Sequence, residues 1–249
     1  MKISVIGAGY VGLVTATCLA DLGNDVICVD KNQEKLTMLK AHQPPFFEPG
    51  LSERMERSCL AERLIFTDDI CLAVEHGDII FNAVDTPQSS DGAADLSSVF
   101  TVVHSVLDAI NEFSDRSFKV FVNKSTVPVG TGQKVIDLRN EAGISDEQLA
   151  ILSNPEFLRE GTSIYDFFHP DRIVLGSSNQ KALDLVSELY EPLYRNETPI
   201  VKTTLQTAEL SKYASNSFLA TKISFINEMA NLCELTGSDV KDLAKIMGM

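Results

Sequence analysis

The sequence predicts an α/β protein, a doubly wound Rossmann-type parallel sheet followed by a long helix that opens a central all-helical domain. Short runs rich in Val and Ile recur between stretches of helical periodicity, which is the pattern of strands buried on both faces of a parallel sheet. A glycine-rich turn joins the first run to the first helix. From Leu205 onward the alternation stops and one uninterrupted helical stretch takes over.

The strand-like runs, in order, are KISVIG, DVICVD, LIFTD, DIIFNAV, FKVFVNKS, LAILSN and RIVLGS. Between them, YVGLVTATCLADLG and LSSVFTVVHSVLDAINEF carry helical spacing. This places the sheet domain at residues 1–202. The segment LQTAELSKYASNSFLATKISFINEMANLCELTG has no Pro, and no Gly before Gly237, so it reads as one helix. Ser238 or Asp239 then caps a further helix, DVKDLAKIMGM. A helix this far above the globular average suggests a spine between domains, so residues 203–249 are assigned to the start of a second, truncated helical domain. The stop at Met249 with no closing element is read as part of a longer protein.

Hydrophobic residues make up 44% of the 249 and charged residues 22%, enough apolar sequence for a sizeable core. The formal net charge of −14 argues against a nucleic-acid partner, which needs clustered Lys and Arg. It leaves room for a small anionic ligand held by a helix N-terminus. Cys18, Cys28, Cys59, Cys71 and Cys233 are dispersed, with no C-x-x-C pair, which fits a reducing cytoplasm and no metal site. His42, His76, His104 and His169 show no ligand spacing either, and His169 reads as a packing residue. No apolar run approaches a membrane span.

The first strand leads into Gly7, Gly9 and Gly12 in the G-x-G-x-x-G spacing, and Asp30 closes the next strand about 20 residues on. Gly7 permits the tight turn, Gly9 lets the backbone approach a pyrophosphate, and Gly12 allows close helix–sheet packing. The helix start supplies N–H groups and partial positive charge. Asp30 accepts from ribose hydroxyls and repels a 2′-phosphate, which favours NAD over NADP. Tyr10 and Val11 in the loop, with Lys35 beyond it, are assigned to the same cofactor site. From this segment alone FAD or another adenine nucleotide remains a competitor.

Four further stretches, PPFFEPGL at 44–51, NKSTVPVGT at 123–131, SNPEFLREG at 153–161 and AELSKYASNSFLATKISFINE at 208–228, follow the glycine loop in that order. Together with DGAADLSSV and DFFHPDRIVLGS they resemble the UDP-glucose 6-dehydrogenase family of nucleotide-sugar dehydrogenases. The resemblance implies oxidation of a sugar's primary alcohol to a carboxylate with two NAD, so that UDP-glucose becomes UDP-glucuronate. It implies that Glu156, Phe157, Leu158, Arg159 and Glu160 meet the substrate sugar nucleotide, and that Thr126 and Glu156 position and deprotonate a water. Glu160 contacts the sugar or orders that water, and is also counted, with Thr86 and Thr126, among the cofactor contacts. Lys212 and Asn216, four apart on the long helix, stabilise an oxyanion at the sugar's C6. From spacing alone, Lys212 reads as an exposed cation paired with Glu209 one turn earlier.

In that family the nucleophilic cysteine lies in a Gly-Gly-Ser-Cys-Phe-Pro-Lys-Asp motif. None of the five cysteines here sits in that context, so this chain is expected to bind NAD without completing the reaction. A second departure is Asp85 in NAVDTP, where the family usually has glycine. Asp tolerates left-handed backbone, so the turn is expected to survive, while an inward carboxylate would oppose a pyrophosphate. The long helix implies a homodimer, and Phe218 and Phe225, seven apart on it, read as core or subunit contact. Dehydrogenation of GDP-mannose or UDP-N-acetylmannosamine, and a non-catalytic nucleotide-binding module, stay open as alternatives.

Overall fold

A computed structural model describes residues 1–113, 117–194 and 198–249. Its strands are β1 (Lys2–Ile6), β2 (Asp25–Val29), β3 (Leu64–Thr67), β4 (Ile79–Asn82), β5 (Lys119–Asn123), β6 (Leu149–Ser153), β7 (Ile173–Gly176) and β8 (Ile200–Thr203). Its helices are α1 (Tyr10–Asp21), α2 (Gln33–Lys40), α3 (Leu51–Leu60), α4 (Ile70–His76), α5 (Ser97–Glu112) and α6 (Thr131–Glu141). They continue with α7 (Ser163–Phe168), α8 (Gln180–Leu189), α9 (Glu191–Tyr194), α10 (Leu205–Thr236) and α11 (Val240–Met247).

The strands form one sheet in the order β3-β2-β1-β4-β5-β6-β7-β8. From β3 through β6 every pairing is parallel, and β8 runs parallel to β7. The all-parallel expectation is corrected at one place, because β7 meets β6 antiparallel. An antiparallel neighbour needs no crossover, so residues 154–172 stay at the end of the sheet where β6 finishes. That keeps SNPEFLREG beside the other strand ends. β8, which has no counterpart among the seven expected strands, is an edge strand with Val201 exposed.

Successive strand residues point to opposite faces and build two core layers. Ile3, Val5, Phe81, Val122 and Leu152 join Leu13, Leu19 and Met55 on one face. Ile6, Ile80, Phe121 and Ile151 join Val103, Val106 and Ile110 on the other. Helix α1 is buried almost all round, from Gly12 to Ala20, which explains its lack of a polar stripe.

The described residues divide into two compact units, Met1–Leu210 and Ser211–Met249. The division falls inside α10 because the first turn of that helix belongs to the sheet unit. Leu205, Ala208 and Glu209 are all buried. A methyl group on Gly176 would come within 2.5 Å of the Ala208 side chain, so β7 and the start of α10 touch only because that position is glycine. Glu209 accepts from the N–H groups of Gly130 (2.7 Å) and Gly132 (2.6 Å), which start α6. A carboxylate at a helix N-terminus satisfies donors that the helix leaves unpaired. Burial pushes the Glu209 carboxyl up, against the opposing pull of those two N–H groups. From spacing alone Lys212 reads as an exposed cation, but it is buried, and Glu209 is engaged at the start of α6.

In the second unit, Asp239 caps α11 by accepting from Lys241 N and Asp242 N, one of the two caps expected there. Phe218 and Phe225 are exposed on α10, so they are not core of the described chain. No helix among the described residues is long and apolar enough to cross a membrane.

Candidate active site and cofactor cleft

Strands β1 to β6 run parallel, so their C-terminal ends share one edge of the sheet, where doubly wound folds hold ligands. β1 ends in the glycine loop, β2 in Asp30, β4 in Val84–Thr86, β5 in Lys124–Thr126 and β6 in SNPEFLREG.

At the glycine loop, Gly7 has φ +100°, and a Cβ there would lie 2.8 Å from the carbonyl oxygen of Ala83. Only glycine serves both demands. A Cβ on Gly12 would lie 1.8 Å from the Gly7 carbonyl oxygen, so α1 rests directly on the turn. Gly9 is the N-cap of α1 with no side-chain cap, and the first turn of α1 has no acid. The helix start therefore keeps its N–H groups and its positive dipole end for an anion.

Asp30 stands against this turn. One carboxylate oxygen accepts from Ala8 N (2.9 Å) and from Lys35 Nζ (2.7 Å), and the other from Asn32 N (2.9 Å). Burial pushes the Asp30 carboxyl up, but the Lys35 ammonium and the two backbone donors outweigh it and hold the group below the usual carboxylate range. Asp30 is thus an anion fixed in place at neutral pH, and the oxygen facing Asn32 retains capacity for a further donor.

A cleft of about 440 Å³ is lined by Gly7, Gly9, Asp30 and Lys35, with Lys31, Asp68 and Asp85 also on its wall. Ser97, Ser98, Thr101 and Ser105 of α5 close its far side. A cradle without side chains, a free helix start and an anchored acid fit the pyrophosphate and ribose of a dinucleotide. Tyr10 and Val11 begin α1 next to Gly9 but do not line this cleft, and the Tyr10 hydroxyl donates to Glu48.

Thr86 and Thr126 are brought together, for the Thr86 hydroxyl donates to the Thr126 carbonyl at 2.8 Å. Ser125 donates to the Val84 carbonyl at 2.6 Å, so the β4 and β5 ends form one rigid floor. Beyond β6, Glu156 accepts from Leu158 N at 2.6 Å and is half-buried, and Leu158 packs on the core. Arg172 lies over the Phe157 ring, 3.9 Å from its centre. Arg159 forks onto Asp166 through Nε (3.0 Å) and a terminal nitrogen (2.6 Å), so its guanidinium has a protein partner rather than only a ligand to serve. Glu160 is exposed. Lys212 and Asn216 lie one turn apart on the second unit, the first buried and the second exposed.

The residue that reading the sequence left without a role is Glu48. It is 4% exposed, and it accepts from the Tyr10 hydroxyl (2.6 Å), Gly161 N (2.8 Å) and Ser163 N (2.8 Å). Tyr10 also reaches the Arg159 carbonyl at 3.2 Å. Glu48 therefore joins the start of α1 to the loop that carries Glu156 and Glu160. On its other side lies a larger, mostly apolar hollow of about 760 Å³, lined by Leu22, Arg54, Ile164, Tyr165 and Phe168. It contains none of the expected site residues except through Glu48's neighbours. His169, on its rim, stacks on Tyr165 with ring centres 4.4 Å apart, both side chains being exposed.

Asp85 does not use left-handed backbone, since His42 and Glu62 are the non-glycine residues with positive φ among those described. The turn survives for a simpler reason than expected. Among the described residues no cluster of three or more His, Cys, Asp or Glu is placed to hold a metal. Burial pushes the thiols of Cys18 and Cys28 well above the usual range.

A parallel sheet whose first loop leaves an uncapped helix start beside a fixed acid defines a dinucleotide-binding α/β domain of the oxidoreductase type. Residues 1–194 match the NAD binding domain of the UDP-glucose/GDP-mannose dehydrogenase family, and residues 206–249 match its central domain. The chain belongs to that family. It is 48% identical over its whole length to a UDP-glucose 6-dehydrogenase of Rhizobium meliloti, covering 56% of that protein. It is 46% identical to UDP-glucose 6-dehydrogenase TuaD of Bacillus subtilis, again over its whole length and 52% of the relative's. Among solved structures, GDP-mannose dehydrogenase of Pseudomonas aeruginosa superposes with a TM-score of 0.93 at 34% identity, over 99% of this chain and 56% of that one. A UDP-glucose dehydrogenase of Pyrobaculum islandicum does so at 0.92 and 38%, over 100% and 57%. The chain thus spans about half the length of the curated relatives it matches.

Proposed function

We propose that this chain is the NAD-binding part of a UDP-glucose 6-dehydrogenase, which oxidises UDP-glucose to UDP-glucuronate with two NAD. The observation that carries the reading is its identity of 41 to 48% to relatives of that name along its whole length; among solved structures a UDP-glucose dehydrogenase is 38% identical and the GDP-mannose enzyme 34%. Residues 1–202 form the cofactor domain, and residues 203–249 begin the central helical domain. NAD, when bound, accepts hydride from the sugar's C6.

The chain's own residues supply the cofactor site and part of the substrate site, without the cysteine nucleophile of the family motif. Gly7, Gly9 and Gly12 admit the pyrophosphate to the start of α1, with Tyr10 and Val11 completing the loop. Asp30, braced by Lys35, takes the ribose hydroxyls and rejects a 2′-phosphate. Thr86 and Thr126 border the cofactor. Thr126 and Glu156 position a water and remove its proton, and Glu160 assists or contacts the sugar. Phe157, Leu158 and Arg159 border the sugar nucleotide. Lys212 and Asn216 supply a cation and an amide donor to a developing oxyanion, an arrangement worth several kcal/mol on the scale of about 3 kcal/mol per deleted donor. The exposed apolar side chains of α10, among them Phe218, Leu219 and Phe225, support a homodimer through that helix. The charge pattern and cysteine set support a cytoplasmic protein without nucleic-acid or membrane partners.

Saturation-transfer NMR tests the substrate. With NAD present, the glucose-ring protons of UDP-glucose are expected to show stronger transfer than the sugar protons of GDP-mannose or UDP-N-acetylmannosamine, and Glu156→Ala is expected to reduce the effect. Preferential transfer to GDP-mannose would overturn the assignment.

A further inference from the structure

The wall of the cofactor cleft carries a charge that the binding roles above leave unexplained. Gly7 lies against the backbone of Ala83 and Val84, which brings the residue after them to the glycine turn. Asp85 consequently sits over Gly9, with its Oδ1 only 3.2 Å from where a Cβ on Gly9 would project. That open face of Gly9 is where a backbone approaches a pyrophosphate. Asp85 is exposed to the cleft, and among the described residues its carboxylate has no hydrogen-bond or ion-pair partner. The cations on the cleft wall, Lys31 and Lys35, both belong to the Asp30 end, and Lys35 is already bound to Asp30. Asp68, on the same wall, adds a further negative charge.

We propose that Asp85 sets the affinity of the dinucleotide site by opposing the pyrophosphate, so that NAD binds weakly and in a salt-sensitive way. The proposal rests on the NAD reading of the cleft. Two unit charges a few ångströms apart near a protein surface interact strongly enough to change binding by one or two powers of ten. The helix start and the glycine cradle still attract the diphosphate, but against this carboxylate. Release of NAD is correspondingly fast, because most affinity differences between related complexes appear in the off-rate.

Calorimetric titration of NAD into the protein and its Asp85→Asn and Asp85→Gly variants, at low and high salt, tests the idea. Asn keeps the size and hydrogen-bonding reach of the side chain without its charge, so the fold is not at issue. At low salt Asp85→Asn is expected to tighten NAD binding about tenfold or more. Near 1 M salt, where the screening length falls to about 3 Å, the advantage is expected to shrink several-fold. Asp85→Gly is expected to follow Asp85→Asn. Equal or weaker binding by Asp85→Asn, or an advantage that salt does not alter, overturns the proposal while leaving the NAD site intact. Failure of the parent and both variants to bind NAD at any salt would overturn the dinucleotide reading and the proposal together.

Discussion

Gly12→Ala is expected to destabilise the sheet domain by about 3 kcal/mol or more and to abolish NAD binding. The added methyl would sit 1.8 Å from the carbonyl oxygen of Gly7, with the carbonyl carbon at 2.9 Å. Both are backbone atoms, so no rotamer change relieves the overlap. Helix α1 must lift off the turn, and it carries Leu13, Val14 and Leu19 with it out of the core. At this chain length such a loss lowers the melting temperature by roughly 6–12 °C. Gly9→Ala provides the contrast. Its methyl meets only the Asp85 carboxylate, at 3.2 Å, and that side chain can move. The expected result is a nearly unchanged melting temperature with weakened NAD binding, because the methyl occupies the open face of the cradle. Thermal unfolding followed by circular dichroism, with NAD titration of each variant, separates the two. A Gly12→Ala protein with wild-type melting and affinity would mean that the turn does not pack as described.

Glu48→Ala should be almost as costly, for a different reason. The substitution removes the acceptor of the Gly161 and Ser163 N–H groups and leaves the Tyr10 hydroxyl only its longer contact to the Arg159 carbonyl. Of these only Ser163 is a buried residue, and an orphaned buried donor costs about 1–3 kcal/mol, so a total of about 2–3 kcal/mol is expected. The carboxylate also links stability to pH. Burial pushes its pKa up, but the hydrogen bonds from Tyr10, Gly161 and Ser163 outweigh that and hold it below the usual glutamate value. A depressed folded pKa means that the stabilisation is full above the unfolded value of about 4.3 and is lost as pH falls through the lower folded value. Urea unfolding of wild type between pH 7 and pH 3 should therefore show a loss that Glu48→Gln lacks in part. The Tyr10 phenol, pushed by burial and by Glu48 up to about 12, stays a neutral donor throughout that range. Identical pH profiles for wild type and Glu48→Gln would remove Glu48 from this role.

Much of this architecture was legible in the sequence wherever the information is local. The glycine spacing, the strand before it and Asp30 after it lie within one strand–helix–strand unit, and steric rules tie each residue to its task. The uninterrupted run from Leu205 appears as α10 for the same reason. What stayed hidden depends on partners far away in the chain. Glu48 meets Gly161 and Ser163 across separations of 113 and 115 residues, and no spacing rule relates them. Glu209 looked like half of a surface pair with Lys212, until Gly130 and Gly132 were found to be its partners. The direction of β7 was equally illegible, because an apolar run of four residues does not say whether the chain before it crosses the sheet. β8 escaped because an edge strand with exposed side chains lacks the buried strand's apolar signature.

The cofactor site stands most directly on Asp30, and the measurement that tests it is calorimetric titration of wild type and Asp30→Ala with NAD, NADP and FAD. Loss of charged hydrogen bonds to the ribose, each worth about 1.5–3 kcal/mol, corresponds to roughly a tenfold to hundredfold loss of affinity. Wild type is expected to bind NAD saturably, NADP more weakly and FAD not at all. Asp30→Ala is expected to lose that factor for NAD and most of the preference over NADP. Binding of FAD in preference to NAD, or an Asp30→Ala protein that binds NAD as wild type does, would contradict the site described here.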